Sequence, residues 1–140
     1  MIGREDNVAS HTVSAWRGIA FEELCFAHIG QIKKALGILG VSSRQSSFTV
    51  KGDGETEGMQ IDLIIDRKDN VLNLCEMKFA SSEFEVDNDY EKKLRHRLQW
   101  MLDHINRKQR LQMTLVTTFG LKYGYHSGVF QQVVTLDHLF

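Results

Sequence analysis

Asp62, Glu76 and Lys78 stand where charged side chains are out of place. Asp62 interrupts the apolar run Gln60-Ile61-Asp62-Leu63-Ile64-Ile65, and Glu76 and Lys78 interrupt Leu74-Cys75-Glu76-Met77-Lys78-Phe79. Burying two acids side by side is unfavourable unless a cation or a proton compensates them. A hard divalent ion such as Mg²⁺ suits carboxylate oxygens. With Lys78 beside it, such a site would hold three parts that phosphodiester hydrolysis needs: a Lewis acid, an activated water and a positive charge facing the transition state. The same residues could instead form an ion pair of Lys78 with Glu76 or Asp62 at a strand end. Glu22 supplies a further acid. At helical spacing it neighbours Ile19, Cys25, Phe26 and Ile29, so it borders an apolar face, whereas Glu23 drifts toward solvent.

The elements that must position these groups follow from hydrophobic period. Phe21, Leu24, Cys25, His28, Ile32, Ala35 and Leu36 predict one long helix over 15–37, with Ser14 as N-cap and Gly37 as stop. Strands are expected over 48–51, 59–66 and 71–79, the first two separated by the acidic loop 52–58 and the last two by a short polar turn. A turn centred on Lys68 sets Asp62 opposite Leu74 and makes Glu76 its diagonal neighbour on the same face. Tyr90, Leu94, Leu98, Met101 and Ile105 predict a second long helix over 87–110, capped by Asp87 or Asp89, with Arg107, Lys108 and Arg110 at its C-terminal end. Strands over 113–118 and 129–135 follow, giving a mixed α/β (α+β) fold in the order α-β-β-β-α-β-β. Residues 1–13 are expected to be a flexible lead and 14–140 a single domain.

Composition narrows the class. The chain is 42% hydrophobic and 25% charged, with two cysteines, no proline and a net charge of −1. Two cysteines make no disulfide framework, and both lie in apolar runs, so a reduced, cytoplasmic protein without a membrane span is expected. The histidines show no zinc-ligand spacing, no Cys-x-x-Cys occurs, and Cys25, Cys75 and His28 read as packing residues. The charge is segregated. Residues 1–52 carry +2, residues 53–89 carry three basic against eleven acidic side chains, or −8, and residues 90–140 carry +5. A cation site beside an anion-binding face is one reading of that asymmetry, and a solvated turn followed by a solvated helix face is the other.

The arrangement of elements, with an acid on the first helix, Asp62 on the second strand and Glu76-Met77-Lys78 ending the third, resembles the PD-(D/E)xK nuclease superfamily. More narrowly, it is similar to the C-terminal nuclease-like domain of prokaryotic AAA-type P-loop ATPases. The matching stretches are 16–22, 60–67, 73–79 and 134–140, and the resemblance covers nearly all of the chain from Ser14. It implies a restriction-endonuclease-like αβββαβ core, a central mixed sheet flanked by two long helices. It further implies a Mg²⁺- or Mn²⁺-dependent deoxyribonuclease (an endonuclease), with Asp62, Glu76, the backbone carbonyl of Met77 and Glu22 as metal ligands. Lys78 would position or activate the water. The proline of the signature is missing before Asp62, and no G-x-x-x-x-G-K-[ST] loop is present. The implied partners are therefore DNA, bound weakly by the isolated domain, and a P-loop ATPase in the same or a neighbouring chain, with a homodimer as a further option. The alternative is a catalytically idle nucleic-acid-binding or regulatory module of such an ATPase.

For DNA contacts the second helix offers Lys93, Arg97, Trp100, His104 and Lys108 at i, i+4, i+7, i+11 and i+15. Basic groups with an interleaved aromatic suit a phosphate backbone and a stacked base, and a solvated helix face with Trp100 partly in the core has the same pattern. The loop 121–126 is a weaker candidate, since its glycines make no phosphate-binding fingerprint.

Overall fold

The computed structural model describes residues 2–52, 58–106 and 108–140. Its elements are α1 (Ile2–Ala27), α2 (Ile29–Ala35), β1 (Ser43–Val50), β2 (Met59–Arg67), β3 (Val71–Lys78), α3 (Asn88–His104), β4 (Arg110–Thr117) and β5 (Gln132–Thr135), with 3-10 turns at Ser127–Val129 and Leu136–Leu139. The fold is α+β. Five strands lie side by side in chain order, β1-β2-β3 antiparallel and β3-β4-β5 parallel, in one mixed sheet.

Strand alternation sends apolar side chains to both faces of this sheet. On one face Ile61, Ile64, Leu72, Leu74, Met113 and Leu115 pack with Leu94 and Met101 of α3. On the other, Leu63, Ile65, Cys75, Met77, Val116 and Val134 pack with Phe21 and Cys25 of α1 and Ile32 of α2. Asn73 is fully buried in β3, yet its amide is satisfied. It donates to Thr114 Oγ1 at 3.1 Å and Gln132 Oε1 at 2.9 Å and accepts from Arg67 at 3.1 Å, tying β2 to β5.

Helix formation departs from the expected pattern in two places. The predicted helix over 15–37 is two helices. The Nδ1–H of His28 donates to the Leu24 carbonyl at 2.8 Å, while the His28 backbone N–H turns to Cys25 O at 3.0 Å. An imidazole that takes the carbonyl owed to its own amide breaks the i→i−4 ladder. At the other end α1 begins at Ile2 rather than Ala15, since residues 4–17 hold neither glycine nor proline to stop it. Gly37 ends α2 as expected: at φ 75° it donates to Lys34 O, and Ile38 donates to Lys33 O, closing a Schellman motif.

The second expected helix is real but shorter. Asp87 caps α3 by accepting from the Tyr90 amide at 2.7 Å. The helix stops at His104, where Ile105 turns extended, so Lys108 and Arg110 lie beyond its last turn. The acidic stretch 53–57 and Arg107 lie outside the described residues. Gly58, at the near end of that stretch, has no room for a side chain, because a Cβ there would sit 2.8 Å from the Gly52 amide nitrogen. Among the described residues, no helix is long and apolar enough to cross a membrane.

Candidate active site

The β2–β3 register differs by two residues from the expected one. Leu63 pairs with Cys75 and Asp66 with Leu72. The turn takes three residues, and Asn70 adopts the left-handed φ of 66° that such a turn requires. Asp62 lies one residue beyond the last pair, Leu63–Cys75, rather than opposite Leu74. A shift of two preserves the face of each residue inside the ladder, but the ladder ends before Asp62.

A β-bulge governs what happens next. Against β1, Ser46 pairs with Ile64 but Phe48 pairs with Ile61, so Asp62 and Leu63 together oppose the single residue Ser47. The extra residue reverses the facing of the first half of β2, and Ile61 packs on the α3 face while Leu63 packs on the α1 face. Bulges bend a strand and end its pairing. Here the β2–β3 ladder stops at Leu63–Cys75, while β3 continues beside β4 to Lys78. The Met77 amide, left without a ladder partner, donates to Asp62 Oδ2 at 2.9 Å. The Met77 carbonyl points to the same edge of the strand as its amide. The Asp62 carboxylate thus sits on the Met77 backbone at the gap between β2 and β3, within the electrostatic reach of Glu76.

Glu76 is only 3% exposed and lies on the α3 face. Arg97 donates to its Oε1 and Tyr90 Oη donates to the same oxygen at 3.3 Å, both from α3. Burial raises the Glu76 carboxyl to about 7. The attraction of Arg97 works against that rise, and Asp62 adds to it as a neighbouring negative charge. Lys78 shares the face of Glu76, and its Nζ lies 5.3 Å from the centre of the Tyr90 ring. Glu22 is half-buried on α1 and Glu23 exposed, as their helical positions predict. Burial and the charge of Asp62 raise the Glu22 carboxyl, and Lys78 counteracts them, which puts Glu22 within the field of both. Cys25 is fully buried and its thiol is pushed up to about 12, chiefly by burial; Cys75 is raised for the same first reason. Both cysteines are free and unreactive packing groups.

The donor chemistry fits a hard divalent cation. Asp62 and Glu76 offer carboxylate oxygens, and the Glu76 carboxyl is raised by burial first and by the charge of Asp62 as well. Among the described residues, no three His, Cys, Asp or Glu side chains form a ready cation cage. Any such ion would rest on the two carboxylates, the Met77 carbonyl and water.

The five residues proposed for DNA contact do not form one exposed stripe. Lys93 is exposed and lines a cleft of about 510 Å³ with Gly58, Met59, Lys92, His96 and Arg97. Arg97 turns its guanidinium inward to Glu76. Trp100 packs on Phe48 with ring centres 5.2 Å apart, and His104 stacks on it at 3.8 Å, so the indole already has two ring partners. In the loop 121–126, Tyr123 and Tyr125 are exposed, while His126 is bonded to Glu91 at 2.7 Å. Tyr90 and Arg97 were missed as partners of Glu76. The signal was present: Arg97 lies between Leu94 and Met101 on the inward stripe of α3, a position that a charged residue occupies only with a buried counter-ion.

No family model matches the chain, and no curated protein does. A solved structure, that of the protein of unknown function AF1548, aligns with a TM-score of 0.39 at 16% identity, over 68% of this chain and 48% of that one. The chain therefore spans about half the length of that structure.

Proposed function

We propose that this domain hydrolyses DNA phosphodiesters with a divalent cation, Mg²⁺ or Mn²⁺, and works beside an AAA-type P-loop ATPase. The observation that supports this best is the Asp62 carboxylate held on the Met77 amide beside the bulge, with Glu76, Lys78 and Glu22 in the same electrostatic neighbourhood. Asp62, Glu76 and the Met77 carbonyl would hold the cation. When bound, it would supply Lewis acidity to a phosphoryl oxygen and lower the pKa of a coordinated water. Lys78 orients the attacking water and faces the charge that develops on the phosphorus oxygens. Glu22, half-buried and with raised proton affinity, accepts the proton of that water.

A second reading, an idle interaction module of the ATPase, has one observation in its favour: Arg97 already neutralises Glu76. Cleavage of supercoiled, linear and branched DNA in Mg²⁺ or Mn²⁺ separates the two. The wild type should cut, and Asp62→Ala and Lys78→Ala should each lose on the order of 10²–10³-fold in rate. A wild type without activity on all three substrates, or an Asp62→Ala variant as active as wild type, would refute the nuclease reading.

A further inference from the structure

Arg97 belongs to two places at once. Its guanidinium contacts Glu76, and its side chain also forms a wall of the cleft that Lys92, Lys93 and His96 line. The Arg97 side chain is 21% exposed and that of Glu76 only 4%, so the arginine links a buried carboxylate to the cleft that it lines. Among the described residues, Lys92, Lys93 and His96 have no ion-pair or hydrogen-bond partner, and none of the described residues that line the cleft is an acid. Glu76 does not depend on Arg97 to keep its place, because Tyr90 donates to the same oxygen.

We infer that Arg97 is a transferable counter-ion: it covers Glu76 in the absence of a divalent cation, and turns into the adjoining cleft when a cation takes that carboxylate, where it holds a phosphate group together with Lys92, Lys93 and His96. The inference rests on the proposed function for its cation, and adds an anion subsite and a reason for the two ligands to bind cooperatively. A guanidinium and a divalent cation repel one another at a single carboxylate oxygen, and the nearest region able to take the displaced charge is one that a phosphate makes favourable. A guanidinium also suits this exchange chemically, since its fork of donors matches carboxylate and phosphate oxygens alike.

The test follows the Arg97 side-chain Nε–Hε signal by ¹⁵N NMR, assigned by its loss in Arg97→Lys, while Mg²⁺ is added to the intact chain. The signal should move away from its carboxylate-bound position as Mg²⁺ saturates. Inorganic phosphate, titrated against the His96 ring signals, should bind about tenfold more tightly with Mg²⁺ than without it. That coupling should vanish in Arg97→Gln. Should Arg97→Gln fold poorly, Glu76→Gln serves instead: its Arg97 signal should be the same with and without Mg²⁺. Mg²⁺ binding that perturbs Asp62 and Glu76 but leaves both the Arg97 signal and the phosphate affinity unchanged overturns this inference alone. Absence of Mg²⁺ binding at millimolar concentration overturns the inference and the proposed function together.

Discussion

Glu76→Gln should make the protein more stable at neutral and alkaline pH, although it removes a partner of an ion pair. The Glu76 carboxyl is raised in the folded state from an ordinary 4.5 to about 7 because burial disfavours its charge more than Arg97 and Lys78 favour it. An acid with a raised folded pKa keeps its full contribution to stability below the unfolded pKa, where it is protonated in both states. It then loses that contribution as pH rises through the folded pKa. Between pH 4.5 and 7 the folded chain therefore binds more protons than the unfolded one, and stability falls. A shift of this size corresponds to about 3 kcal/mol. Glutamine preserves the shape and can still accept from Tyr90 and Arg97, but does not titrate. Urea unfolding in EDTA from pH 4.5 to 8 should give curves that agree near pH 4.5 and diverge steadily. By pH 8 the variant should be ahead by roughly 2–3 kcal/mol, or about 5–10 °C in Tm for a chain of this size. Taking the difference between the two proteins cancels the other shifted groups, among them Glu22, raised in the same direction, and Asp69 and Glu91, lowered by their partners. Parallel curves, or a wild type that gains on the variant with rising pH, would refute the claim that burial dominates Arg97 at this carboxylate.

Two further outcomes test the frame around the site. Asn73→Ala should destabilise by about 2–4 kcal/mol in urea, because it strands the buried Thr114 and the half-buried Gln132 and frees Arg67 from β3; a loss below about 0.5 kcal/mol would mean that the network does not hold the sheet. Gly37→Ala should cost about 1–2 kcal/mol, since φ there is 75° and nothing lies within 4 Å of the added methyl, so only backbone strain is introduced. Gly40→Ala, equally unhindered but with ordinary φ, is the matched control and should not lose stability.

Periodicity was sufficient for most of the elements and insufficient for the features that build the site. The apolar stripe of α3 and the runs of β2 and β3 are directly legible, because packing on one or both faces leaves a mark every 3.6 or 2 residues. The break at His28 leaves no such mark. It depends on one imidazole competing for one carbonyl, and a helix pattern continues smoothly across it. The bulge at Asp62 is hidden for a related reason: β2 is buried on both faces, so a reversal of facing within Ile61-Asp62-Leu63-Ile64 changes no hydrophobic residue to a polar one. The turn register was misplaced by two because a three-residue loop with left-handed Asn70 looks in sequence like any other short polar break. The long basic stripe failed at Arg97 and Trp100, where spacing on a helix identifies a face but not what is packed against it.

The segregation of charge along the chain acquires a local meaning at Glu76. The acids of the site come from α1, β2 and β3, and the arginine that meets them comes from α3, in the basic C-terminal part of the sequence. Glu22, Asp62 and Glu76 against Lys78 and Arg97 leave this cluster with a formal charge of −1, which repels a phosphodiester. Under the proposed function, a divalent cation would change that to +1 and free one guanidinium toward a cleft that Lys92 and Lys93 already make positive. Near a surface the interaction of unit charges 4 Å apart is of order 4 kcal/mol, so such a reversal is large beside the affinity expected of a small domain with a net charge of −1. A polynucleotide would then be attracted only to the metal-loaded form. Weak affinity for DNA without metal would follow from the same residues that make the loaded site bind phosphate, and the near-neutral total charge does not argue against a nucleic-acid substrate.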